Sequence, residues 1–324
     1  MTKLDITCKK ILDQINQSIH ILVVPHKKPD GDAIGSALAM SLLLDQLGKR
    51  HRVFCLDPVS QPFQFLPEWD RVETDPKIFR EKRFDLIVVL DSGDLNYSGI
   101  DRYLEKIDYP RPAIINIDHH STSEFFGEIN LVLADYSSTC QVLHDFIRKS
   151  NLILTKDIAT CLLTGIITDT GGFTNPATTF DSLETASQLL LAGAKFYKIN
   201  YNILKNKSIP SLKLWGNILS RLQKNEQSGI VSTFITLDDL DQYHVSDEAL
   251  DGLANFLNNL DGARAVLVIK EHYNNKIKAS LRTSDENLDV SRFAKIFGGG
   301  GHKKAAGFTI DGRLIKNGDE IMIA

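Results

Sequence analysis

Thiols, tryptophans and unbroken apolar runs are all scarce in this chain. Its 324 residues include only 4 cysteines and 2 tryptophans. Cys8, Cys55, Cys140 and Cys161 lie far apart with no C-x-x-C pair. That spacing argues against a disulfide scaffold or a thiolate zinc site and leaves buried, reduced thiols as the expectation. No apolar stretch approaches the roughly 18 residues of a membrane span. The opening MTKLDITCKK lacks the apolar core of a signal peptide. Positive charge is not in surplus either: Lys and Arg total 37 against 41 Asp and Glu, net −4. A global basic field for gripping long nucleic acid is therefore not expected. Together these absences point to a cytoplasmic globular protein with no membrane partner. A hydrophobic content of 43% is ample for burying cores. The length suggests two domains.

The first half alternates short apolar runs with helix-period segments. Residues 19–24 (IHILVV), 52–56, 84–90 (FDLIVVL) and 113–117 (AIINI) read as strands, rich in Ile and Val. Their continuous apolar character suits a parallel sheet covered on both faces. Residues 33–47, 138–148, 157–167 and 182–191 have helical periodicity, the first ended by Gly48. The second half reads differently. Helices are expected over 206–223 and 245–260, strands over 229–236, 265–269 and 276–282, and a hairpin at Asn274-Asn275. The simplest parse is an α/β fold: an N-terminal parallel-sheet domain over 1–194, a linker over 195–210, and a smaller mixed α+β domain over 211–324. Their cleft is the expected site.

Chemistry-bearing residues recur where those strands end, the edge at which open α/β sheets bind ligands. His26, Asp30 and Asp32 follow the first strand, Asp91 and Asp94 the FDLIVVL run, and Asp118, His119 and His120 the AIINI run. Asp169 lies where a helix gives way to a glycine turn. Each piece alone has a plain explanation: Asp32 as a helix cap, Asp30-Gly31 as a turn, Asp91 or Asp94 as a local cap. As a set, Asp30, Asp32, Asp91 and Asp169 would repel one another unless cations lay between them. Two divalent ions balance four carboxylates. Oxygen and imidazole donors without thiolate suit Mn²⁺ or Mg²⁺, with Fe²⁺ or Co²⁺ also compatible. The expectation is a two-metal hydrolytic site.

The segments PHKKPDGDAIGS, VVLDSGD, NIDHHS and GIITDTGGF, in that order, resemble the four motifs of the DHH phosphoesterase superfamily. The later FGGGGHKKAAG resembles the glycine-rich signature of its associated C-terminal domain. Within the superfamily, the two-domain length is most similar to the bifunctional oligoribonuclease and pAp phosphatase (nanoRNase) family. That resemblance implies one metal, Mn²⁺ by preference, on His26, Asp30 and Asp91. It implies a second on Asp32, Asp91, His119 and Asp169, so that Asp91 bridges. It further implies that Asp118 orients His119 from behind and that His120 points at the scissile phosphate. A metal-activated hydroxide would then attack phosphorus in line, with His120 either stabilising the developing charge or assisting the leaving oxygen.

Four consecutive glycines before His302 can bring backbone N–H groups close to an anion, and Arg282 ends a strand with a fork suited to phosphate. The plain alternatives are a helix stop with a loose loop, and a solvated charge. In the resembled family, a serine-x-arginine segment and this loop are similar in position to a nucleotide clamp. The resemblance thus implies substrate contacts for Ser280, Arg282, Gly299, Gly300, Gly301 and His302. The expected reaction is hydrolysis of short oligonucleotides (nanoRNA) to mononucleotides. By resemblance alone, 3′-phosphoadenosine 5′-phosphate (pAp) would be converted to AMP. Two rivals remain open: a phosphodiesterase of cyclic dinucleotides or their linear products, and a non-catalytic nucleotide-binding regulator. A homodimer is compatible with the sequence.

Overall fold

The computed structural model describes residues 2–324 apart from 82, 205, 206, 251, 302, 318 and 319; the side chains of 81, 204, 316, 317, 320 and 321 are likewise outside the description. His302 is thus outside the described residues. The chain divides into two compact units, 1–206 and 207–324.

The first unit opens with α1 (Lys3–Gln17), whose Thr2 and Asp5 form a reciprocal capping box. Then come β1 (His20–Pro25), α2 (Gly31–Gln46), β2 (Arg50–Phe54) and β3 (Val72–Glu73). The one-turn helices α3 (Ile78–Glu81), α4 (Leu95–Ser98) and α5 (Asp101–Leu104) flank β4 (Leu86–Leu90) and precede β5 (Ala113–Asp118) and β6 (Ile129–Val132). Helices α6 (Thr139–Lys149), α7 (Lys156–Asp169), α8 (Phe180–Leu191) and α9 (Phe196–Ile199) complete it.

The six strands form one parallel sheet in the order β3-β2-β1-β4-β5-β6. Leu86 to Leu90 are all buried, as a central strand covered on both faces requires. One core packs α1, α2, α6 and α7 on one face, and a second, around Phe54, Phe79 and Ile100, fills the other. The strand order reverses between β1 and β4, the place where doubly wound sheets open a ligand crevice.

Several segments differ from the sequence reading. Residues 196–204, expected within a linker, form α9 and a turn of π-helix, and Ile199 is buried in the first unit's core. The local polarity of KFYKINYN concealed this anchoring, to which Ile203 adds a second, partly buried contact. Helix α1 and strand β6 were not expected; Asn130 interrupts the apolar pattern of β6, whereas α1 does bury Cys8, Ile11 and Ile15 at helical spacing.

In the second unit, α10 (Ile209–Leu219) precedes β7 (Gln223–Lys224), β8 (Ile230–Ile235), α11 (Leu237–Tyr243) and α12 (Leu253–Leu257). Strands β9 (Ala265–His272) and β10 (Lys276–Arg282) follow, then α13 (Val290–Ile296), β11 (Gly300–Gly301) and β12 (Ala305–Asp311). A small hairpin, β13 (Leu314–Asn317) with β14 (Glu320–Ile323), ends the chain. The main sheet runs β11-β12-β10-β9-β8-β7 and is mixed, with β8 parallel to β9. Tyr273, Asn274 and Asn275 make the three-residue turn of the β9–β10 hairpin, with Asn274 and Asn275 at φ 63° and 56°, a left-handed conformation that asparagine tolerates. The helix expected over 245–260 is instead broken into a 3₁₀ turn (Asp247–Leu250) and α12. Gly252 at φ 83° lies between them, a conformation that ends a right-handed helix. Among the described residues, no helix is long and apolar enough to cross a membrane.

Candidate active site

Three strand ends and two helices deliver the site. Strand β1 ends at Pro25 and hands over to buried His26. The carboxylate of Asp30 then accepts from the N–H groups of Asp32 (3.0 Å) and Ala33 (3.1 Å), capping α2. Cap and site member are thus one residue. Asp32, in the first turn of α2, is fully buried. Asp91 follows β4 in the left-handed region, at φ 57°, a costly conformation for a residue other than glycine. His119 and His120 follow β5, and Asp169 is the last residue of α7.

The geometry gathers these side chains into overlapping groups. His26 Nε2 lies 3.5 Å from Asp91 Oδ2 and 3.8 Å from Asp30 Oδ1. His119 Nε2 lies 3.7 Å from Asp91 Oδ1 and 3.2 Å from Asp169 Oδ2. One oxygen of Asp91 therefore faces His26 and the other faces His119. Three sets of donor atoms, each mutually within 4.8 Å, could hold a metal ion: His26, Asp30 and Asp91; Asp32, His119 and Asp169; Asp91, His119 and His120.

Each imidazole is oriented from behind. The Nδ1–H of His26 donates to the carbonyl of Lys27 (2.8 Å) and that of His119 to the carbonyl of Tyr136 (3.3 Å), because a carbonyl can only accept. Both rings thus turn Nε2 to the carboxylates, the tautomer a metal ligand needs. Asp118 does not orient the His119 ring, contrary to expectation. Its Oδ1 accepts the His119 backbone N–H and lies 2.7 Å from His120 Nδ1. A side chain emerging at the end of β5 reaches over the turn to residue i+2 more readily than to the outward-turned ring at i+1. The other oxygen of Asp118 is buried without a hydrogen-bond partner among the described residues.

Burial and crowding set the electrostatics. Burial, with Asp91 and Asp169 nearby, raises the Asp32 carboxyl well above its usual range. Burial also acts to raise Asp91, but the imidazoles of His26, His119 and His120 more than reverse it and hold that carboxyl low. Asp169 is pushed up to about 6 by burial and by Asp30 and Asp91, against its contact with His119. Burial opposes charge on His119, yet Asp169, Asp32 and Asp91 carry it up to about 10. Asp32 and Asp169 therefore bind protons more readily than ordinary carboxyls, while Asp91 stays ionised among the imidazoles. Hard oxygen and imidazole donors, with a carboxylate shared between groups, fit divalent metals of the Mn²⁺ and Mg²⁺ type.

Sequence reasoning did not assign a role to the start of α6. Ser138 caps it, and its first turn aims at the site. The N–H groups of Thr139 and Cys140 donate to the two oxygens of Asp32 (2.6 and 2.9 Å), and the Thr139 hydroxyl donates to Asp91 Oδ1 (2.9 Å). The Ser-Ser-Thr run soon after the DHH segment was legible as a helix start, but its target lies 107 residues away along the chain. Gly165 of α7 was also missed. A Cβ there would stand 2.4 Å from Asp32 Oδ1 and 2.3 Å from Cys140 Sγ, so its absence makes room for the buried carboxylate. Asp94, read as a local cap, does cap α4 by accepting from Tyr97 N–H (2.6 Å).

The other candidates lie in the second unit. Ser280 and Arg282 project from one face of β10. Arg282 Nε donates to Asn255 Oδ1 (2.8 Å), and Nη1 to the carbonyl of Leu281 (2.9 Å). Gly300 and Gly301 form the edge strand β11 rather than a loose loop. A Cβ on Gly299 would stand 2.2 Å from the Gly307 carbonyl oxygen, and one on Gly301 2.5 Å from that of Ala305. Close backbone packing on β12 is thus a sufficient reason for those two glycines, whereas a Cβ on Gly300 would meet nothing within 4 Å.

Comparison with known proteins agrees with the architecture. Residues 20–166 match the DHH family, N-terminal domain, and residues 226–322 the DHHA1 domain. The "Bifunctional oligoribonuclease and PAP phosphatase NrnA" of Thermus thermophilus is 30% identical over 293 residues, 90% of this chain and 84% of that protein. Its namesake in Bacillus subtilis is 26% identical over 294 residues, 90% of this chain and 89% of that one. Among solved structures, an exopolyphosphatase-related protein from Bacteroides fragilis matches with a TM-score of 0.86 at 25% identity, over 95% of this chain and 92% of that one. With both domain signatures and the length of such relatives, this chain belongs to the DHH family as a phosphoesterase of the nanoRNase-like kind.

Proposed function

We propose that the protein hydrolyses short oligonucleotides to mononucleotides, and pAp to AMP, using two divalent metal ions. The observation that carries this reading is the position of Asp91, which offers one oxygen to each of two imidazole–carboxylate groups. In the proposal, His26, Asp30 and Asp91 hold one ion, and Asp32, Asp91, His119 and Asp169 hold the other. When bound, such ions supply a nucleophile near neutral pH and relieve charge on phosphoryl oxygens. The protein's own groups do the rest. The backbone N–H groups of α6 and the Thr139 hydroxyl fix Asp32 and Asp91 in place. Asp118, hydrogen-bonded to His120, holds that ring as a proton donor toward the leaving oxygen. Ser280, Arg282 and the Gly299–Gly301 backbone, with His302 beside them in sequence, take the nucleotide's phosphate end. The names of the Thermus and Bacillus relatives support this substrate class.

The test is a metal-stripped sample assayed with Mn²⁺, Mg²⁺ and Co²⁺ on pAp, pApA, cyclic di-AMP and a five-nucleotide RNA. Activity is expected on pAp, pApA and the RNA only after metal is restored. Asp91→Ala is expected to lose more than the roughly 10- to 100-fold that an outer partner of a metal ligand costs. Wild-type turnover by Asp91→Ala at saturating Mn²⁺ would overturn the shared-carboxylate reading. Preferred hydrolysis of cyclic di-AMP would overturn the substrate class.

A further inference from the structure

The sheet of the second unit is covered unevenly. On the face bearing Val266 and Val268, the helical core built from Leu214, Ile218, Leu253 and Leu257 reaches β8 and β9. On the opposite face, α13 packs over Leu281 and Ala306. The register places Arg282, Ser280 and Lys278 of β10 on the first face, opposite Ala305, Gly307 and Thr309 of β12. Among the described residues, neither core includes any of these, and Lys278 and Thr309 are exposed. The result is an open strip floored by small side chains, with a cation at either end.

The two cations are set up differently. Arg282 is held from one side by Asn255, which takes its Nε–H. Lys278 lies four residues back along the strand, roughly 13 Å at the usual strand rise, beyond the reach of one phosphate group touching Arg282. It stands directly opposite Lys270 in the ladder, a like-charge pairing that destabilises a sheet. Lys270 is neutralised by Asp247, and neighbouring Lys276 by Asp311. Among the described residues, Lys278 has no ion pair.

We propose that this strip is a second phosphate site, in which Lys278 takes one backbone phosphate of a substrate strand while Arg282, roughly 13 Å away along β10, holds another. The inference rests on the reading of Arg282 as a substrate contact. It makes Lys278 a determinant of substrate length: a dinucleotide is too short to engage both cations, whereas a pentanucleotide gains one more charge contact. A phosphate contact of this kind is sequence-independent and screened by salt.

The experiment compares kcat/KM on a dinucleotide and a pentanucleotide for the wild type, K278Q, K278R and K276Q. In K278Q the penta-to-dinucleotide ratio is expected to fall about three- to fivefold, the range of one exposed charge contact. The log–log salt dependence measured on the pentanucleotide should become shallower by about 0.7. K278R and K276Q should both keep the wild-type ratio. An unchanged ratio and salt slope in K278Q overturns the proposal. So does an equal fall on both substrates, or a matching drop in K276Q, which marks diffuse charge instead of a site. If R282A shows the wild-type KM for the dinucleotide, the underlying reading of the clamp fails, whatever K278Q does.

Discussion

Thr139 carries the most information per atom of any residue near the site. Its hydroxyl donates to Asp91 Oδ1 and its N–H to Asp32, so one buried residue touches two of the site's buried carboxylates. Removing the hydroxyl while keeping the shape leaves Asp91 free to rotate toward His26 or His119. Partners of this kind typically contribute 10- to 100-fold to metal affinity. Thr139→Val is therefore expected to weaken Mn²⁺ binding by about that factor, read by calorimetry or by the Mn²⁺ paramagnetic signal. Thr139→Ser should restore it. Equal Mn²⁺ affinity in the valine variant and the wild type would reduce the hydroxyl to packing alone. The strained backbone at Asp91 fits the same picture, because a positive φ at a buried aspartate persists only where its surroundings over-determine it.

At the scale of elements, the site depends on how closely α2 and α7 approach. Small residues line the contact: a Cβ on Gly31 would collide with the Thr168 side chain, and one on Gly35 would stand 2.6 Å from the Cys161 carbonyl oxygen. The second obstacle is backbone and cannot rotate away. Gly35→Ala is expected to force the helices apart and lower stability by about 1–3 kcal/mol, read from the denaturant midpoint. Because α2 carries Asp32 and α7 carries Asp169, the same shift should loosen metal binding. Unchanged stability in Gly35→Ala would mean that the two helices can slide without cost. Helix α6 illustrates the complementary rule: its buried first-turn N–H groups, which have no acceptor within the helix, find one in a buried carboxylate.

For the molecule as a whole, acid stability is linked to any group whose proton affinity changes on folding. His144 on α6 is buried, and its Nδ1 has no hydrogen-bond partner among the described residues. Burial lowers its pKa below the ordinary 6.5; Asp145 opposes the shift and Arg148 adds to it. The unfolded chain therefore takes up a proton before the folded one does. The contribution of His144 to stability is intact above 6.5 and is lost as pH falls below it. Between about pH 7.5 and 5.5, the wild type is expected to lose more stability than His144→Leu, measured as the change in Tm. A parallel decline in both proteins would show that His144 does not carry this linkage. Net charge acts at the same scale. At −4 the chain has no global field for long polyanions, so in the proposed reading local cations such as Arg282 and Lys278 do the recognising.

What the amino-acid sequence determined alone was set by short-range rules. Continuous Ile and Val runs marked β1, β4 and β5 as central strands, Asn274-Asn275 marked the hairpin, and Gly48 ended α2 at φ 65°. Because strand ends carry the chemistry in this fold, His26, Asp30, Asp91, His119 and His120 could be picked out as neighbours before any coordinates. Long-range closure decided the rest. The carbonyls of Lys27 and Tyr136 select the tautomers of His26 and His119, and Asp118 bonds to His120 instead of the His119 ring. Thr139 joins the site only because α6 packs end-on to it, and Gly165 matters only because a carboxylate from another helix fills the space beside it. Pattern and spacing report on neighbours along the chain. A buried polar group must find its partner wherever folding brings one, and only the packed molecule specifies which partner that is.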